Sequence, residues 1–192
     1  MAKKKSGNNM TKLIISIIVI ALAVLTICTL FMNVLSVTGK IGILGFGTES
    51  TTAINGSDVF AAAFNGETSS DLTNGTNLLV GLKNSEDAGF VTNIFIWGYL
   101  ITVIVAVATL VFAVLSMLGM KFKGVNTILG AVLAILAIVT FIFAIVVASK
   151  FSAENGISGL LSAGSKGSIA FGAYLLIATL ICGAVQVYSY KK

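Results

Sequence analysis

Ser149-Lys150 and Ser165-Lys166 each set a hydroxyl nucleophile beside an amine. A serine–lysine dyad works when burial strips the lysine of its proton and frees it to act as a base. Here both lysines flank the ends of long apolar runs. A lysine there extends its stem along the apolar surface and keeps its charge in water. That anchoring role is the expected one. Other chemistry is sparser. The chain has no histidine, which excludes a Ser-His-Asp triad, a His-Glu-x-x-His zinc site and a histidine-ligated haem. The glycine series Gly39, Gly42, Gly45, Gly47 lacks the lysine and following helix of a phosphate loop. Cys28 and Cys182 stand alone in apolar runs, without metal or redox spacing. No catalytic residue, metal site or cofactor is expected, and the chain is read as a non-enzyme.

These residues sit in an unusual composition. Of 192 residues, 57% are hydrophobic and 10% charged, against roughly 25% charged in soluble domains. Four stretches approach or exceed the ~20 apolar residues that cross a bilayer: 13–37, 93–118, 125–149 and 168–190. None contains Asp, Glu, Lys or Arg. Between and around them lie a basic N-terminus (1–12), a long loop (38–92), a tight turn (119–124), a second loop (150–167) and the terminal pair 191–192. The first run is longer than the apolar core of a cleaved signal and is read as retained. The lysine-only basic set and the many asparagines point to an AT-rich, bacterial genome.

Charge sets the expected orientation. Lys3, Lys4, Lys5, Lys12, Lys121, Lys123, Lys191 and Lys192 fall on one side with no acid beside them. The other side carries four lysines against seven acids, a net charge of −3. The positive-inside rule then places both termini in the cytoplasm of a multi-pass cell-membrane protein. The overall basic balance is a topology signal, and no nucleic-acid partner is expected. On this layout Cys28 lies ~22 Å and Cys182 ~12 Å from the inner face. That gap exceeds the ~7 Å between Cα atoms that a disulfide tolerates, so two free thiols are expected.

Lipid supplies no hydrophobic drive between helices, so small residues mark the packing seams. Gly98, Thr102 and Ala106 form one such seam. Gly130, Ala134 and Ala137 form a second, and Gly172, Thr179 and Gly183 a third. Ser16, Ala23, Thr26 and Asn33 continue the pattern in the first run. Asn33 and Gln186 are expected to make interhelical hydrogen bonds. Trp97, Tyr99, Tyr188 and Tyr190 are expected in the aromatic belts.

The loop 38–92 is too long to be structureless by default. Gly39 to Gly47 is expected as a strand, paired with Thr51 to Ile54. Ser57 or Asp58 should cap a short helix that stops at Asn65-Gly66, with Val59, Phe60, Ala63 and Phe64 as its apolar face. Asn77 to Leu82 is a further apolar piece, and Ile157, Leu160 and Leu161 form a set in the second loop. Asn55-Gly-Ser57 and Asn74-Gly-Thr76 are glycosylation sequons, read as turn residues in a bacterial chain.

The expected fold is an all-α membrane protein. It is an antiparallel four-helix transmembrane bundle with a small, partly ordered extracellular cap (a short helix and short β-strands) from the first outer loop. A long first outer loop, a shorter second one and cytoplasmic termini resemble, in layout, the claudin-like tetraspan proteins. No Trp-Gly-Leu-Trp-type motif and no loop cysteine pair is present, and no functional residue is carried over. The expected partners are the bilayer and a membrane or extracellular protein, or a second copy. The expected role is contact: an accessory, envelope-organising or immunity-type protein. The alternative is a small transporter or channel component working as an oligomer.

Overall fold

A computed structural model describes residues 3–43, 46–65, 74–120, 122–157 and 161–191. The elements in order are α1 (Lys3–Cys28), β1 (Asn33–Ile43), β2 (Phe46–Asn55), α2 (Gly56–Phe64), α3 (Gly75–Lys83), α4 (Gly89–Met117), α5 (Lys123–Lys150), β3 (Ala153–Ile157), β4 (Leu161–Ile169) and α6 (Phe171–Lys191). A 3-10 turn, Thr29–Phe31, follows α1. The chain is mostly helical. Four segments are long and apolar enough to cross a membrane: Leu13–Phe31, Gly89–Met117, Lys123–Lys150 and Phe171–Ser189.

The all-α expectation needs correcting. The four strands form one antiparallel sheet in the order β2-β1-β4-β3. The first apolar run was expected to stay helical to Val37, but it leaves the helix at Cys28 and is strand from Asn33. An apolar run does not separate a buried strand from a helix by composition alone. Here Val34, Val37, Thr38 and Ile41 are β-branched, and Gly39 and Gly42 interrupt the sequence, both of which disfavour helix. The fourth run likewise gives residues 168 and 169 to β4.

The expected pairing also shifts. Gly39–Gly47 is not one strand, because Phe46 and Gly47 already belong to β2 and return along β1. Thr51 to Ile54 therefore pair with Leu35 to Thr38. The register slips between Asn33 and Leu35, which leaves Val34 as a bulge. Its carbonyl accepts from Ala170 N at 2.9 Å, carrying the ladder to the start of α6.

The chain divides into two compact units. One comprises Met1–Cys28, Ile101–Ile138 and Leu175–Lys192; the other comprises Thr29–Leu100 and Val139–Tyr174. The first is helical. Its core is Val19, Ala23, Ala106, Ala113, Leu133 and Cys182. The α5 and α6 backbones touch where Gly130 meets Gly183. A Cβ on Gly183 would strike the Gly130 carbonyl and lie 2.8 Å from Ala134 N. The Thr26 and Thr179 hydroxyls share a 2.8 Å hydrogen bond between α1 and α6. Both cysteines are free thiols.

The second unit holds the sheet with α2, α3 and the adjoining parts of α4, α5 and α6. Its buried residues include Val34, Leu35, Ile54, Val59, Leu79, Val80, Phe95, Ile96 and Tyr99.

Candidate functional site

The distinctive chemistry of the second unit lies where α2 and α3 meet. The segment Asn55-Gly-Ser-Asp starts α2. Neither Ser57 nor Asp58 is the cap: Asn55 occupies that position, and Asp58 stands three residues on. Its Oδ2 accepts from Asn55 N at 2.9 Å, the returning half of a capping box. Its Oδ1 accepts from Thr76 Oγ1, also at 2.9 Å. One carboxylate thus closes the start of α2 and ties it to the start of α3. The second sequon does the same local work, since Asn74 Oδ1 accepts from Thr76 N at 2.9 Å and caps α3. Gly75 makes the approach feasible, because a Cβ there would lie 2.8 Å from Asp58 Oδ2 and 3.0 Å from Ala53 O.

The far end of α2 is tied as well. Lys83, in the last turn of α3, donates from Nζ to Ala62 O at 3.1 Å and to Asn65 O at 3.2 Å. Helix C-terminal carbonyls have no partner within the helix, and a cation suits that end of the dipole.

At its start α2 also meets the 3-10 turn and α4. Gly56 N donates to Met32 O at 3.1 Å. A Cβ on Gly56 would strike the Tyr99 hydroxyl and the Thr29 carbonyl, so only glycine fits. The Tyr99 and Thr29 hydroxyls share a 2.8 Å hydrogen bond. Tyr99 therefore does not join an aromatic belt: it is fully buried, and its hydroxyl helps fix the α2 junction.

The expected apolar face of α2 divides into two. Val59 and Ala63, joined by Ala62, are buried. Phe60 and Phe64 point away from them and are 42% and 67% exposed. Their rings lie 5.4 Å apart, and Phe64 meets Trp97 edge-on at 6.2 Å. Trp97 is itself 44% exposed. The three rings make a continuous aromatic surface on this unit.

The remaining candidates fall elsewhere. Ser149 Oγ donates to Val146 O and Ser165 Oγ to Phe151 O, both at 2.6 Å, so each hydroxyl is turned to main chain; Lys150 and Lys166 are exposed. Among the described residues, no three His, Cys, Asp or Glu side chains cluster to hold a metal ion. Of the seam residues, Thr102, Ala106, Gly130, Ala137, Gly172, Thr179 and Gly183 are buried, whereas Gly98 and Ala134 are half-buried. Asn33 is exposed on β1, opposite Asn55, and is not an interhelical ligand.

Gln186 departs most from expectation. It is fully buried in the first unit, yet among the described residues neither its Nε2 nor its Oε1 has a hydrogen-bond partner. Its neighbour across the helix contact is Gly130, which offers no side chain, and helix main chain is already bonded to itself. Asn126 Oδ1 and Thr109 Oγ1 are buried and unpartnered in the same way, although Asn126 donates from Nδ2 to Ser116 Oγ at 3.0 Å.

Asp58, Thr76, Lys83, Tyr99 and Gly56 were not singled out as a group by sequence reasoning. The one available signal was Asn55 followed three residues later by Asp58, the spacing of a capping box. No protein-family model, curated protein or solved structure matches the chain.

Proposed function

We propose that this chain is a multi-pass protein of the cell membrane, with both termini cytoplasmic and the sheet-bearing unit outside. Its four apolar helices cross as an antiparallel bundle, and it acts by contact with another protein or a second copy, without catalysis. One observation supports placing both loops on one side, and the lysine distribution chooses which side that is. β1, which follows the first span, pairs with β4, which precedes the fourth, from Leu35↔Ile169 to Ile43↔Leu161. Two segments of one sheet lie on the same side of a membrane, and two spans between them meet that demand. The pairing is independent of the lysine distribution, and both group the two loops on one side. The contact reading rests on the build of the outer unit. Both connections are bound into one sheet, and α2 and α3 are tied at both ends, so the surface they present is pre-organised for binding.

Crosslinking in native membranes, followed by purification in mild detergent, tests this. The expected result is a second protein or a second copy in stoichiometric amount, attached through residues of 29–100 or 139–174. Recovery of monomer alone contradicts it.

The transporter or channel alternative draws on one specific observation, the unpartnered polar atoms of Gln186, Asn126 and Thr109. Solute flux in proteoliposomes of the purified chain, abolished by Gln186→Leu, would favour it over the contact reading.

A further inference from the structure

We propose that α2 is an interfacial helix, and that Phe60 and Phe64 enter the headgroup–acyl boundary of the outer leaflet beside Trp97. The inference rests on the membrane-spanning reading and adds a lipid contact to a helix that otherwise belongs to the outer unit.

Three observations lead to it. The first is the division of α2. Its protein-facing side is filled by Val59, Ala62 and Ala63, while Phe60 and Phe64, one turn apart, stay largely uncovered. Large exposed rings grouped with a third mark a surface that meets something apolar. The second is continuity. Phe64 packs edge-on against Trp97, and Trp97 belongs to α4, a helix long and apolar enough to span. It lies about 12 Å along that helix from Gly89, at 1.5 Å per residue. Tryptophan settles at the membrane interface, where its ring is amphipathic. Whatever apolar medium borders Trp97 therefore also borders Phe64 and, through it, Phe60. The third is the state of the helix ends. Near lipid, main-chain groups left without partners are costly. In α2 the Asn55 amide is taken by Asp58, and the Ala62 and Asn65 carbonyls are taken by Lys83. A short helix with its ends tied in this way is suited to a boundary where water is scarce.

Trp97 is the only tryptophan in the chain, which makes the test direct. The full chain is reconstituted into phosphatidylcholine vesicles, with or without lipid brominated near the top of the acyl chain. Emission is recorded for the wild type and for the doubly substituted W97F/F60W and W97F/F64W proteins. Retained helical circular dichroism confirms that each is folded. Blue-shifted emission from both variants, quenched by brominated lipid and insensitive to aqueous iodide, is expected. Quenching by iodide would show the rings in water and overturn the proposal. Quenching by neither agent would place them under a second copy or another protein and would also overturn it. In either case, lipid quenching of wild-type Trp97 would leave the membrane-spanning reading standing. A wild-type Trp97 untouched by brominated lipid would count against that reading itself.

Discussion

The two units differ in how fully their polar side chains are paired. In the unit built on the sheet, Asp58 accepts two hydrogen bonds, Lys83 donates two, and the Tyr99 and Thr29 hydroxyls bond each other. In the helical unit, among the described residues, the buried Gln186 amide has neither atom bonded, and Asn126 and Thr109 each keep an unpartnered oxygen. Directional bonds therefore specify the first of these. The other combines close approach of small residues with the Thr26–Thr179 and Asn126–Ser116 bonds, and leaves further polar atoms unpaired beside them. A buried donor or acceptor left unpaired costs about 1–3 kcal/mol, so the difference has consequences in opposite directions.

Substitutions at the closest approaches should have the largest effect. Gly56→Ala drives a methyl into the Thr29 main chain and the Tyr99 hydroxyl, and Gly183→Ala drives one into the Gly130 carbonyl. Each should cost about 3 kcal/mol or more, since backbone rather than a flexible side chain must move. Denaturant titration in detergent measures this. Equal tolerance of alanine at both sites would mean that neither contact is tight.

Asp58→Ala comes next. It strands the Asn55 amide and the Thr76 hydroxyl together, for a loss of about 2 kcal/mol. Asp58→Asn, which keeps one acceptor, should recover part of that loss. If alanine were neutral, the bonds described here would contribute nothing to the fold.

Gln186→Met sharpens the comparison because its sign is reversed. Removing an unsatisfied amide at similar volume should stabilise the helical unit by about 1 kcal/mol. Destabilisation of that size would show that Gln186 has a bonding partner after all, and would move this unit toward the transporter reading.

The four apolar segments were legible in the sequence because ~20 uncharged residues have few other uses. Their ends were not. Asn33 to Val37 reads as helix by hydropathy, and the pairing with residues 161–169 that makes it strand is remote in sequence. For the same reason the second loop, read as a small apolar set, contributes two strands. Position on a helix face was legible for α2, but which part of that face is buried was not. That depends on where α3, β2 and the 3-10 turn stand against α2, and Val59 ends buried while Phe60 stays exposed. Gln186 failed as an expected hydrogen-bond partner because a polar residue on a small-residue seam meets whatever the neighbouring helix offers, here a glycine. Asp58 was seen as a helix start, while its second bond, to Thr76, crosses a chain separation that local pattern does not reach.

The central claim is that the sheet-bearing unit lies outside and the lysine-rich turn inside. Labelling intact cells with a membrane-impermeant maleimide tests it most directly. The chain for this carries Cys28→Ala and Cys182→Ala, with a single new cysteine introduced as Ser57→Cys or Gly124→Cys. Both chosen positions are exposed. The account requires labelling of the Ser57→Cys chain in intact cells, and of the Gly124→Cys chain only after permeabilisation. Labelling of both in intact cells, or the reverse order, would contradict it.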